Sequence, residues 1–198
     1  MGADLPLFKT PSIESHLLAV ATAALDEALA ELNATGDVAS EPASFAVLAA
    51  ELGGRLRVAE LPAVDEAALA YENHANRRVV VHLPIAGNFA LLAYQVRGMP
   101  PPSLVGQLQM DEALGRLSLA YDVKPGPKPW DASLDGDLAM LRAYFGALGQ
   151  AVAHFNQQLG ALVEAKIRDT IQFNEVRREI GEKMARRGFR EVPPDAAG

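Results

Sequence analysis

Cysteine is absent from all 198 residues. That removes disulfides, thiol nucleophiles and thiolate metal sites, and it fits a reducing compartment. Tryptophan occurs once, at Trp130. No apolar run approaches the roughly 20 residues of a membrane-spanning helix; the longest candidate, His16–Leu25, is too short. With no charged-then-apolar leader, a cytoplasmic protein without membrane contact is expected. Phosphate loops, dinucleotide fingerprints and nucleophile elbows are missing too. His154 has no acid or second histidine at helical ligand spacing. No catalytic residue, cofactor or metal site is therefore expected.

What is present is a chain with 49% hydrophobic and 22% charged residues, enough apolar content for a packed core rather than disorder. Its net charge of −7 disfavours nucleic acid as a partner. The charge is uneven: residues 163–191 hold eight Lys/Arg against six Asp/Glu.

The dominant pattern is Leu134, Leu138, Leu141, Phe145, Leu148, Val152, Phe155, Leu159 and Leu162, which recur in steps of four and three. This heptad seam predicts a long helix burying one narrow stripe, at least roughly 40 Å long at 1.5 Å per residue. Such a seam also suits a coiled coil. Gly146, Gly149 and Gly160 weaken an isolated helix and permit close approach of a sheet, so the seam is expected to be intramolecular core. Beyond Leu162, the residues Val163, Ile167, Ile171, Val176, Ile180 and Met184 change the step. Either the stripe drifts around the helix or the helix breaks near Thr170–Asn174.

Upstream, Thr10-Pro11 reads as a helix start, with Thr10 as cap and Pro11 in the first turn. Leu17, Leu18, Ala21, Leu25, Ala28, Leu29 and Leu32 form its apolar face, and Gly36 is available as its end cap. A short helix over 43–52 is stopped by Gly53-Gly54. Strands are expected at Leu56/Val58, at Val79–Ile85 by strict alternation, at Leu92–Val96, at Leu104–Met110 and at Leu117–Val123. Residues 63–71 read as irregular or weakly helical. Lys124–Trp130 connects sheet to helix, and Asp131 or Ser133 caps the latter. The expected fold is a single α+β domain over 1–198. Helices at 10–35 and 43–52 precede an antiparallel sheet of about four to five strands over 55–123. The long helix at 133–187 follows, and 192–198 form a disordered tail.

Each polar cluster also has an ordinary structural reading. Asn73-His74-Ala75-Asn76-Arg77-Arg78 is of the kind that binds phosphate or carboxylate, though more often such a cluster is a plain loop. Asp135 and Asp137 suit a helix N-terminal dipole, and Asp111-Glu112 a solvated turn. Arg177, Arg178, Lys183, Arg186, Arg187 and Arg190 form the one local excess of cations; they suit a helix C-terminus and mark a candidate interaction surface. A pocket between sheet and long helix would draw on His82, Tyr94, Tyr121 and Asn156. A hydrolase using His74 or His82 with a nearby acid is the weakest reading.

Several stretches resemble a bacterial α+β scaffold domain found N-terminal to TIR-like, caspase-like or Mrr-type effector domains. They are Val81-His82-Leu83-Pro84 leading to Gly87, Leu91-Leu92-Ala93-Tyr94, the bend at Pro100–Pro102, Leu117–Tyr121, Phe155-Asn156 with Leu159, Arg187-Gly188-Phe189, and Leu7-Phe8. The resemblance implies a non-catalytic scaffold, sensor or adaptor of conflict or defence systems. Because no effector follows before Gly198, either the sequence is a piece of a longer protein or the effector is separately encoded. The expectation is a protein partner, with contacts after Val163, or self-association. A small-molecule binding domain is the alternative.

Overall fold

The structure is a computed structural model that describes residues 7–35, 42–75, 77–111, 113–123 and 130–190. Its helices are α1 (Ile13–Thr35), α2 (Pro42–Leu56) and α3 (Trp130–Arg186). Its strands are β1 (Lys9–Ser12), β2 (Ala63–Val64), β3 (Ala70–His74), β4 (Arg78–Ala86), β5 (Tyr94–Gln95), β6 (Gln107–Asp111) and β7 (Arg116–Asp122). The α+β class, the antiparallel sheet and the long C-terminal helix agree with the sequence. Contacts group the chain into two compact units: residues up to Val20 with Val58–Gln157, and Ala21–Arg57 with the residues from Gln158 onward.

The first unit contains the sheet. β4 pairs with β7 on one side and shares its other edge between β3 and β2, while β6 lies outside β7. Register puts Val79 opposite Tyr121, Val81 opposite Leu119 and Leu83 opposite Leu117. These residues face inward, and of them Val79, Leu83, Leu117, Leu119 and Tyr121 are buried. The intervening residues Arg78, Val80, His82 and Pro84 therefore share the other face with Asp122, Ala120, Ser118 and Arg116. β3 was not legible as a strand because all five of its residues are exposed, so no inward face imposes alternation. Leu56 and Val58 form no strand. Leu56 ends α2, and Val58 is clamped by Asn156, whose amide accepts from its N–H at 3.1 Å and donates to its carbonyl at 2.9 Å. The expected strand at 92–96 shrinks to β5 because Phe89–Ala93 form a 3₁₀ turn.

Residues 9–12 are drawn into parallel pairing with β5, so the helix start moves from Thr10 to Ser12. The Ser12 hydroxyl accepts from the Ser15 N–H at 3.3 Å, which is an N-cap contact. Ile13, Leu17, Ala21, Leu25 and Leu29 are buried in steps of four, whereas Leu18 is 50% exposed and drops out of the expected face.

α3 is one unbroken helix of 57 residues, with no break at 170–174. Its buried positions are Asp137, Leu141, Tyr144, Leu148, Val152, Phe155, Leu159, Val163 and Ile167. Steps of four outnumber steps of three, so the stripe follows the ~3.6 residues per turn of a straight helix instead of a 3.5 supercoil. Leu134, Leu138, Phe145 and Leu162 accordingly rotate to half-buried flanks. A Cβ on Gly146 or Gly160 would meet nothing within 4 Å, and on Gly149 only the Leu61 side chain at 3.5 Å. Close approach of the sheet is thus not the reason for these glycines.

In the second unit Leu25, Leu29, Leu52, Leu159, Val163 and Ile167 are buried. Lys166 Nζ meets Asp26 at 2.7 Å, and Asn174 donates to Asn33 at 2.7 Å. α2 runs straight through Gly53-Gly54, which were expected to stop it. Nothing lies within 4 Å of a Cβ built on Gly54. Gly54→Ala is expected to raise stability by about 0.5–1 kcal/mol in denaturant unfolding, because helical glycine costs that much relative to alanine. The Gly36 cap, Glu112, the 124–129 part of the connector and the tail over 192–198 lie outside the described residues.

Candidate functional site

α3 carries three polar side chains that each capture backbone of another segment. Asp137 is fully buried. Its Oδ1 accepts from the Val105 N–H at 2.9 Å, and its Oδ2 from the Gly106 N–H and the Tyr121 hydroxyl, both at 2.8 Å. This replaces the dipole role expected of it; Asp137 lies two turns into the helix. The Tyr144 hydroxyl donates to the Tyr94 carbonyl at 2.7 Å and accepts from the Val96 N–H at 3.1 Å. Asn156 holds Val58. Burial pushes the Tyr121 phenol well above its usual range, and the bond to Asp137 adds to that. Burial likewise raises Tyr144, against the Val96 hydrogen bond.

The residues expected to line a pocket are thus dispersed. Tyr121 donates to Asp137, and Asn156 clamps Val58. Tyr94 stacks on His16 with ring centroids 3.9 Å apart. His82 points to the opposite face of the sheet from Tyr121, since the two alternate in register. There its Nδ1 meets the Ser118 hydroxyl at 2.9 Å and its Nε2 meets Glu72 Oε1 at 3.0 Å. The second Glu72 oxygen meets His74 Nε2 at 3.0 Å. The hydrogen bond from His82, helped by the charges and bond of the two histidines, holds the Glu72 carboxyl below its usual range against the opposing effect of burial.

Serine, histidine and carboxylate in line form the outline of an acyl-transfer triad. Ser118, however, lies mid-strand in β7, in register with His82 of β4 and Gln109 of β6. Backbone N–H groups inside paired strands are taken up by the ladders, unlike the free donors of an oxyanion hole. The network ties three strands together on the sheet's outer face.

A cleft of about 670 Å³ opens at one end of the first unit's sheet. Its walls are Tyr71, Asn73 and Val79 from the strands, His74, Ala75 and Arg77 from the β3–β4 turn, Val123, and Trp130 from the first residue of α3. The polar cluster before β4 pointed to this place. Tyr71 and Trp130 did not, because one sits in a strand without alternation and the other in a proline-rich connector. Among the described residues no group of three His, Asp or Glu is placed to hold a metal ion. Nor does any helix have the length and apolarity to cross a membrane.

The far end of α3 presents a second apolar stripe. Phe173, Val176, Ile180 and Met184 are 68%, 55%, 56% and 40% exposed, and Phe189 is 61% exposed. At 3.6 residues per turn this stripe is rotated by roughly 100° from the face that Val163 and Ile167 bury. The helix ends in a Schellman motif: Gly188 takes φ 84°, its N–H donates to the Ala185 carbonyl, and the Phe189 N–H donates to the Met184 carbonyl. Arg177, Arg178, Lys183, Arg186, Arg187 and Arg190 are all exposed around it. Lys183 pairs with Glu179 at 3.3 Å, and Arg178 and Arg186 approach Glu182 at 4.0 and 3.8 Å. Compared with protein-family models, with curated proteins and with solved structures, the chain gives no match.

Proposed function

We propose that the chain is a non-enzymatic interaction module that docks an acidic amphipathic helix of a protein partner on the stripe Phe173, Val176, Ile180 and Met184. The observation carrying this reading is that four large apolar side chains stand in solvent on one stretch of α3, with Phe189 exposed just beyond it, after the helix's other face has been used for the core. A contiguous apolar patch rimmed by charge marks an interaction site. The rim selects the partner. Residues 173–190 contain six Lys/Arg and three Glu, whereas the chain as a whole is −7. Two copies stacking on this stripe would bring like charges together, while an acidic helix would complement them. Glu175, Glu179 and Glu182 interleave with the cations, which weakens attraction to an anionic bilayer. The family resemblance in the sequence points the same way, toward a cytoplasmic adaptor for an effector of a bacterial defence system.

Ile180→Glu places a charge on an exposed position, so stability should change by no more than about 0.5 kcal/mol. Binding of a labelled helical peptide with a leucine stripe flanked by glutamates should fall at least tenfold, read by fluorescence polarisation. Charge reversal at Arg186 and Arg187 should weaken it further and flatten its salt dependence. A concentration-dependent dimer that Ile180→Glu dissolves, or tighter binding to anionic vesicles than to the peptide, would contradict the reading.

A further inference from the structure

We infer that the cleft beside the β3–β4 turn is a binding site for a free mononucleotide, with the base stacked on aromatic side chains and the phosphate held by Arg77. Size permits it, since about 670 Å³ falls within the range of small-ligand sites. The walls supply the two chemistries that such a molecule needs. Tyr71 and Trp130 offer aromatic faces, on which any base can stack. Arg77 offers a guanidinium, whose fork matches phosphate oxygens. Val79 and Val123 add apolar lining, and among the described residues no carboxylate lines the cleft to repel an anion. The nearby Glu72 carboxylate is engaged by His82 and His74.

The backbone at Arg77 is an independent pointer. Arg77 sits at φ 61° and closes the turn, with its N–H donating to the His74 carbonyl at 3.1 Å and its carbonyl accepting from the Val123 N–H at 2.7 Å. Glycine or asparagine suits this left-handed position of a three-residue hairpin loop far better than arginine. A long cationic side chain kept at a strained position, on the wall of a cleft with two aromatic residues, is there for what its head group meets. The chain's charge of −7 speaks against a polynucleotide. The cleft belongs to the first unit and its case stands apart from the docking stripe.

Trp130 is the one tryptophan in the chain, so its fluorescence reports on the cleft directly. Titrating the full chain with AMP, ADP and ATP should give saturable quenching, with the same affinity by calorimetry. Adenosine and inorganic phosphate alone should each bind at least tenfold more weakly. Arg77→Gly keeps the left-handed backbone while removing the guanidinium. It should weaken the nucleotides at least tenfold with the melting temperature unchanged or raised, and Tyr71→Ser should weaken nucleotide but not phosphate. The inference is overturned if none of the nucleotides saturates the signal, if Arg77→Gly binds as tightly as the natural chain, or if inorganic phosphate matches the nucleotides. A single-stranded oligonucleotide binding more tightly than any mononucleotide would also overturn it.

Discussion

Replacing Asp137 by alanine should lower the unfolding free energy by about 3–5 kcal/mol, the loss expected when one partner of a buried charged network is removed. The side chain is fully buried and satisfies two consecutive backbone N–H groups and a phenol. Alanine would leave those three donors without the acceptor they share. Asparagine keeps the volume but turns an amide N–H₂ toward a donor, so Asp137→Asn should recover only part of the loss. The Tyr121→Phe variant removes one donor along with its hydroxyl and should cost much less, about 1 kcal/mol. Urea unfolding of the three variants reads the order directly. Equal losses for all three would mean that the carboxylate is not the organiser of the 105–106 segment.

Gly87→Ala should be nearly as damaging, at about 3 kcal/mol or more. Gly87 takes φ 80°, a conformation that costs an L-residue roughly 1–2 kcal/mol. A Cβ there would also collide with the Leu61 carbonyl, a backbone atom that no side-chain rotation relieves. Leu61 lies just before β2, which pairs with the end of β4 through Ala63 and Ala86. The clash would therefore pry β2 from β4 or bend the 58–62 segment away from Asn156. Gly54→Ala, by contrast, meets open space, and the opposite signs of the two glycine substitutions in one unfolding series would separate strain from mere helix propensity.

How much of this was legible beforehand depends on whether a residue's periodicity reports its surroundings. β4 and β7 could be read because one face of each is buried against the core, so alternation is enforced. β3 could not, since it is exposed throughout. In α3 the helix was plain, but its face was displaced: counting leucines favoured Leu134, Leu138 and Phe145, while the buried face includes Asp137 and Tyr144. A search for apolar spacing passes over a buried aspartate and an internal tyrosine hydroxyl. Their roles come from backbone segments such as Val105–Gly106, distant in sequence. The polar cluster at Asn73–Arg78 led to the cleft, yet its aromatic walls come from strands and helix ends that only tertiary structure assembles. Val176, Ile180 and Met184 were visible as a changed step. Their rotation away from the buried face is a matter of the helix running on unbroken.

A photo-crosslinking residue at position 180, introduced into the full chain in its own cells, tests the docking claim most directly. The expected result is a crosslink to one protein through a helical segment with apolar residues spaced three and four apart and flanked by Asp or Glu. Charge reversal at Arg186 and Arg187 should abolish it, and a crosslinker on the outer face of α1 at Val20 should leave that protein uncaptured. A crosslink from position 180 into the chain's own sheet, or to a second copy, would contradict it.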